Sequence, residues 1–306
     1  MADPQTCRLC GSPDLADFGA IPDSDYFAGR VLPHRLAGGR LYGCSSCGSM
    51  FRHPAMSASS YMELYEQGNP TQWDSKSARH DLSVIRSMIT SDPRLSSVLD
   101  VGCGTGEFLH SLPQHLKKYG VEPSAATDHA ESRGIEIVAR QIELLPSRAQ
   151  FSAITIIDVI EHVVDPASLL TQAYAHLAPG GKIIISTGDP ANFYWRHVFK
   201  SRFWYASFPE HITFPSVEFC RNWCERHGAV MVTKLAIRYQ SLTITRIAIN
   251  FLIQAMFYVS PRTISAVGRI AGRVLAWPPP LRQTFAPGIP GLFRDHQVLV
   301  LQKPQA

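Results

Sequence analysis

Val98-Leu99-Asp100-Val101-Gly102-Cys103-Gly104-Thr105-Gly106 is an apolar run carrying one acid and ending in three glycines at alternate positions. Glu107-Phe108-Leu109-His110, which follows, can start a helix. A strand that stops at a glycine-rich turn and feeds a helix is how α/β proteins cradle an adenosine-type ligand at the end of a sheet. Glycine suits the turn because the backbone must bend sharply and let the ligand touch the main chain. Dinucleotide folds favour G-x-G-x-x-G with the ribose acid about 20 residues on. Here the spacing is G-x-G-x-G, with an acid already inside the strand.

Outward from that turn, the elements alternate as a doubly wound sheet requires. Tyr119-Gly120-Val121-Glu122 reads as a second strand ending in an acid, where adenosine-binding folds hold the ribose hydroxyls. Ile135–Val138, Ala153–Ile157, Lys182–Ser186, Val230–Leu235 and Gln297–Leu301 read as the later strands. Asp165-Pro166 places an N-cap and an N1 proline ahead of a helix reaching Leu177. Ser216 starts another helix, whose Cys220 and Cys224 read as core residues one turn apart. Residues 57–92 read as helical between Pro54 and Pro93.

The 306-residue chain is 45% hydrophobic and 18% charged, which describes an ordinary globular protein of one large and one small domain. A net charge of +4 without a run of Lys or Arg does not point to nucleic acid. Neither a signal peptide nor an apolar stretch long enough to span a bilayer is read, so a cytoplasmic location is expected.

Cys7-x-x-Cys10-Gly11 and Cys44-x-x-Cys47-Gly48 are two copies of one element. Each puts two sulfurs on one side of a tight turn, and together they offer the four-thiolate set that zinc prefers. Such a closed site serves folding, not catalysis, by stapling a segment too short to build a core. Its linker composition suits a small antiparallel sheet.

VLDVGCGTGEF, YGVEPS, ITIIDVIEHVVDP, PGGKIIIS and FPEHITFPS, in that order, resemble class I S-adenosylmethionine (SAM)-dependent methyltransferases. The CxxCG…CxxCG head and the late Glu-His are similar to the zinc-containing sugar C-methyltransferases and related small-molecule methyltransferases. The resemblance covers roughly residues 1–240 and the final strand. It implies a seven-stranded Rossmann-like sheet with Gly102, Gly104 and Gly106 around SAM, Asp100 supporting the loop or binding the SAM amino group through water, and Glu122 on the ribose. Gln141 and Ile142 fall where the adenine is held, and Asp158 and Val159 where the methionine end and reaction site meet.

Methyl transfer needs the nucleophile held in line with the methyl and one proton removed. Histidine suits the second task because its pKa lies near neutrality. Two Glu-His pairs stand out: Glu161-His162 after the fourth strand, and Glu210-His211 in a proline-bounded loop. The resemblance to sugar C-methyltransferases, where a similarly placed Glu-His is associated with proton abstraction, implies His211 as base with Glu210 as its orienting partner, and His162 is the other candidate.

The expected division is a zinc-binding module at 1–55, a helical connector at 56–95, the SAM-binding core at 96–240, a helical insertion at 241–290 and the last strand at 291–306. The insertion, with IAINFLIQAMFYV, Arg262, Arg269, Arg273 and Trp277-Pro278-Pro279-Pro280, reads as a lid, a dimer surface or a membrane-surface element. The expected function is methylation of a carbon or oxygen of a small molecule, most simply a sugar or a polysaccharide or natural-product precursor, supplied as a sugar nucleotide or lipid-linked glycan. The chain is expected to be a monomer or homodimer. An RNA base methyltransferase that uses the zinc module for recognition is the alternative enzyme. The weak charge and the missing Asn/Asp-Pro-Pro-aromatic motif after the fourth strand disfavour it. A non-catalytic scaffold binding SAM and zinc is the third reading.

Overall fold

The computed structural model describes residues 4–28, 30–68, 79–240, 243–260 and 294–305. The N-terminal strands are β1 (Leu15–Ala20), β2 (Ser24–Phe27), β3 (Arg30–Leu36), β4 (Arg40–Cys44) and β5 (Met50–His53). Helices α1 (Ala58–Glu66) and α2 (His80–Thr90) follow, so the expected helix over 57–92 is two helices, and residues 69–78 lie outside the described residues.

The core then runs β6 (Ser97–Val101), α3 (Glu107–His110), β7 (Lys117–Val121), α4 (Thr127–Ser132), β8 (Glu136–Ala139), β9 (Phe151–Ile157), α5 (Pro166–Ala175) and β10 (Leu177–Gly188). It closes with α6 (Trp204–Ser207), β11 (Thr213–Phe214), α7 (Val217–His227), β12 (Val230–Ile237), α8 (Ile244–Val259) and β13 (His296–Gln302). Arg262, Arg269, Arg273 and Trp277–Pro280 of the expected insertion lie outside the described residues.

Seven strands form one sheet in the order β12-β13-β10-β9-β6-β7-β8. Strand β13 is antiparallel to both its neighbours, and the other pairs are parallel. From β6 the chain winds outward to β7 and β8, then returns to β9 on the other side and winds toward β10. The switch point therefore lies between the carboxyl ends of β6 and β9, where open α/β sheets bind ligands. Residues on β9 and β10 are buried on both faces, as the unbroken Ile-rich runs require.

Two local features follow from side-chain and backbone chemistry. Asp165 caps α5 by accepting from the Ser168 N–H at 3.0 Å, and Ser216 caps α7 by accepting from the Phe219 N–H at 3.0 Å. The Pro179-Gly180-Gly181 turn sits inside β10: Leu177 pairs with Phe151, and the register shifts before Lys182 pairs with Ala153. The strand thus starts earlier than the sequence suggested, with the turn as a bulge.

The N-terminal strands build a second sheet in the order β1-β4-β5-β11. Its last strand is supplied from the far end of the core: Thr213 pairs with Phe51 and Phe214 with Met50. Cys220 and Cys224 are buried beside Trp223, as core residues.

Candidate functional site

All three glycines of the turn after β6 have positive φ, +74° at Gly102, +53° at Gly104 and +76° at Gly106, a region L-residues avoid. A Cβ at Gly102 would lie 2.5 Å from Val159 Cγ2, whereas a Cβ at Gly104 would meet no heavy atom within 4 Å. Gly104 thus presents bare backbone to the switch-point crevice. Glu122, at the end of β7, accepts from the Gly104 N–H and the Ser124 N–H, both at 2.9 Å. One oxygen serves each bond, so each keeps a lone pair for a ligand hydroxyl. Asp100 is buried and accepts from Thr155 Oγ1 at 2.6 Å. Burial pushes its carboxyl up to about 7. Gln141 is exposed ahead of a short 3-10 turn, and Ile142 is buried in the main core.

Asp158 follows β9 in the left-handed region, φ +51°. Its Oδ2 meets Arg79 at 2.7 Å, and Arg79 also pairs with Asp81 at 2.5 Å. The Arg79 guanidinium lies over the Tyr239 ring, 4.3 Å from its centroid. Ser186 donates to Asp81 at 3.0 Å, and buried His296 stands 3.9 Å from Asp158 Oδ1 and 3.3 Å from Asp295. Burial opposes charge on Arg79, but Asp158 and Asp81 outweigh it and hold its pKa up. Burial raises the Asp158 carboxyl against the pull of Arg79. Sequence reasoning missed Arg79, Asp81 and His296, because each matters only through partners far along the chain.

Beyond Asp158, the Glu161-His162 turn meets the Glu210-His211 loop. The carboxyl of Glu161 and ring nitrogens of His162 and His211 all lie within 4.8 Å of one another, and the two imidazoles meet edge to face at 4.8 Å. His211 Nδ1 is 2.7 Å from the Tyr205 carbonyl. A carbonyl only accepts, so Nδ1 carries the proton and Nε2 the lone pair. His162 differs: its Nδ1 pairs with the Tyr65 hydroxyl, and the ring also bonds the Glu210 carbonyl. Burial lowers His162 to about 4 and drives His211 well below its ordinary value, so both rings are neutral at pH 7.

Glu161 accepts from the Tyr205 hydroxyl and from Thr187 Oγ1 at 3.0 Å, and burial pushes it up to about 8. Glu210 turns elsewhere: its Oε1 accepts from the Ala28 N–H at 2.6 Å, and burial pushes it up to about 7. The carboxyl grouped with His211 is therefore Glu161, not the Glu210 expected as its orienting partner. One carboxylate and two imidazoles can also bind a divalent ion. Here His162 Nδ1 is already engaged by the Tyr65 hydroxyl and His211 Nδ1 by the Tyr205 carbonyl, which favours acid–base chemistry.

The four paired cysteines come together. Cys7 and Cys47 sulfurs are 3.9 Å apart, those of Cys10 and Cys44 3.6 Å, and all four lie within 4.8 Å. A tetrahedral zinc–thiolate site, with bonds of about 2.3 Å, has sulfur–sulfur edges of about 3.8 Å, so the set fits that ion. The knuckles share one backbone pattern. The Gly11 N–H donates to the Cys7 carbonyl and the Gly48 N–H to that of Cys44, while Cys7 and Cys44 donate to Ser12 and Ser49 carbonyls.

This sheet reaches the Glu210-His211 loop directly. The Arg52 N–H donates to the Ile212 carbonyl at 2.8 Å, and its guanidinium donates to the carbonyls of Ala206 at 3.1 Å and Phe208 at 2.7 Å. Ser216 Oγ also donates to the Cys47 carbonyl. The loop is thus clamped on both sides of His211 by a residue of β5.

A methyltransferase-domain family profile matches residues 76–234. Over 99 residues the chain is 38% identical to the ubiquinone biosynthesis O-methyltransferase of Coxiella burnetii (strain RSA 493 / Nine Mile phase I), covering 29% of this chain and 42% of that protein. Over 134 residues it is 32% identical to the Pseudomonas entomophila (strain L48) protein of the same name, covering 38% and 56%. The chain spans about half the length of these relatives. Among solved structures, the N-methyltransferase NodS from Bradyrhizobium japonicum WM9, in complex with S-adenosyl-L-homocysteine, superposes with a TM-score of 0.50 at 15% identity. That match covers 80% of this chain and 98% of that one, a likeness of fold. The family match takes in more than half of the sequence, and with its doubly wound seven-stranded sheet the chain belongs to the methyltransferase domain family.

Proposed function

We propose that this chain transfers a methyl group from SAM to an oxygen or carbon of a small-molecule acceptor, with His211 as general base. SAM supplies an electrophilic sulfonium methyl when bound. The backbone of Gly102, Gly104 and Gly106 would hold its methionine and ribose part, Glu122 the ribose hydroxyls, Gln141 and Ile142 the adenine, and Asp158 and Val159 the methionine end. Zinc on Cys7, Cys10, Cys44 and Cys47 would be structural.

One observation carries the choice of base: the Tyr205 carbonyl fixes the proton on Nδ1 of His211 and leaves the lone pair on Nε2. A neutral ring at pH 7 is ready to take the acceptor's proton as the methyl arrives. Glu161, held by Tyr205 and Thr187 and mostly protonated at pH 7, forms the polar wall beside the ring. His162, whose Nδ1 is taken up by the Tyr65 hydroxyl, acts by packing against His211. An oxygen acceptor is supported by the O-methyltransferase relatives. A sugar or a polysaccharide or natural-product precursor is supported by the resemblance of the cysteine head and late Glu-His.

The test is His211→Ala, with label transfer from SAM into small-molecule extracts as the readout and calorimetry for SAM affinity. Turnover should fall about a thousandfold, within the range of a lost general base, with SAM affinity nearly unchanged. Near-normal turnover would remove His211 from the chemistry.

A further inference from the structure

Helix α8 buries Phe257 but otherwise turns polar side chains inward and aliphatic ones outward. Its core-facing positions include Asn250 and Gln254, the latter 0% exposed. Gln254 Oε1 accepts from the Trp204 N–H at 3.0 Å, and its Nε2 donates to the Arg202 carbonyl at 2.9 Å. The outward face instead carries Ile244 at 86% exposure, Leu252 at 60% and Val259 at 79%, with Met256 and Ile249 also exposed. A helix that turns amides inward and branched aliphatics outward faces something apolar. The patch continues across ring contacts from Phe251 and Tyr258 to Phe199 and Tyr194, and on to exposed Phe193.

Charge identifies what that is. Lys and Arg are scattered over the chain, but the acids are not: from Arg226 to Arg294 the sequence holds nine Lys and Arg and no Asp or Glu. The stretch from Pro190 to Pro209 adds Arg196, Lys200 and Arg202, again without an acid. Lys200 is exposed, and Arg202 bonds the Tyr258 carbonyl at the edge of the apolar face. Among the described residues no helix is long and apolar enough to cross a membrane. Aliphatic side chains with Lys200 and Arg202 at their edge, on a helix too short to span, match a surface with an apolar interior and anionic headgroups.

We propose that α8 and the adjoining aromatic face dock the protein on an anionic phospholipid bilayer, lying in the interface without crossing it. Through Gln254 the docked helix is bonded to α6, whose Tyr205 carbonyl holds His211, so docking would bring the site near a lipid-carried acceptor.

The test is sedimentation of the full chain with vesicles of phosphatidylglycerol and phosphatidylcholine in equal parts, against phosphatidylcholine alone. It needs neither SAM nor acceptor, so it stands or falls apart from the methyltransferase reading. The chain should pellet with the anionic vesicles and be released by high salt. Leu252→Glu/Met256→Glu, which leaves the Asn250 and Gln254 face untouched, should lower bound protein roughly tenfold or more. Lys200→Glu should weaken binding to anionic vesicles with its melting temperature retained. Pelleting with neither vesicle overturns the proposal, and so does undiminished pelleting of the double variant. A concentration-dependent dimer that ignores vesicles and is dissolved by the double variant would assign the face to a second copy instead.

Discussion

Gly102 and Gly104 share a left-handed backbone but differ in what surrounds them, and alanine at each position separates folding from ligand binding. At Gly104 the new methyl meets no heavy atom within 4 Å, so the protein without ligand bears only the backbone penalty, about 1–2 kcal/mol. That corresponds to a melting temperature lower by roughly 2–4 °C per kcal/mol. At Gly102 the same penalty is joined by a Cβ 2.5 Å from Val159 Cγ2, where carbon pairs prefer about 3.5–4.0 Å. Such overpacking adds about 1–3 kcal/mol. Adding Val159→Ala to Gly102→Ala should recover the steric part and leave the backbone part, a coupling readable as a double-mutant cycle. SAM affinity, measured by calorimetry, should respond most strongly at Gly104. A methyl pointing into the ligand's place there costs upward of tenfold, or about 1.4 kcal/mol. If Gly104→Ala binds SAM within about twofold of the parent, the ligand does not lie on this backbone and the assignment of the crevice is wrong.

Further outcomes follow from other parts of the site. Cys44→Ser should lose one zinc per chain by elemental analysis and loosen the loop carrying His211, seen as faster amide exchange at Arg52, whose N–H donates to the Ile212 carbonyl. Full zinc content would show that the four thiols do not act as one set. Glu210→Gln should change how stability depends on pH. Burial raises the Glu210 pKa to about 7 in the folded protein, from an ordinary 4.5, so its contribution is complete below about 4.5 and lost as pH rises through about 7. Urea midpoints of parent and variant should therefore diverge between those limits, the parent falling relative to the variant. Parallel profiles would place the Glu210 pKa near its ordinary value.

The features legible in sequence are those written in short, local patterns. The glycine turn at 102–106, the cysteine knuckles and the Asp165-Pro166 helix start each act within a few residues, and all take the expected local form. The strands of the main sheet were legible too, because buried parallel strands must be nearly pure Ile, Leu and Val. What escaped was long-range pairing. Arg79 is one arginine among many until the fold sets it against Asp158. Adjacency suggested that Glu210 serves His211, yet the two sit on a turn closed by the His211 N–H on the Phe208 carbonyl, and Glu210 goes to Ala28 while Glu161 joins His211. Strand β11 is two residues long, too short for any periodic signal. The apolar run of α8 disclosed a helix but not that its amides would turn inward.

The pairing of β5 with β11 also imposes an order on synthesis. The N-terminal sheet leaves the ribosome with its β5 edge open, and the strand that covers it lies at Thr213–Phe214. At about 5–20 residues per second, the edge waits on the order of ten to thirty seconds for its partner. During that interval the row of unpaired amides at Met50–His53 can recruit a neighbouring nascent chain. Early metal loading would fix the cysteine turns in this window but would not close the edge. Expression at lower temperature, which slows wrong pairing between chains, should therefore raise the soluble yield more than added zinc does.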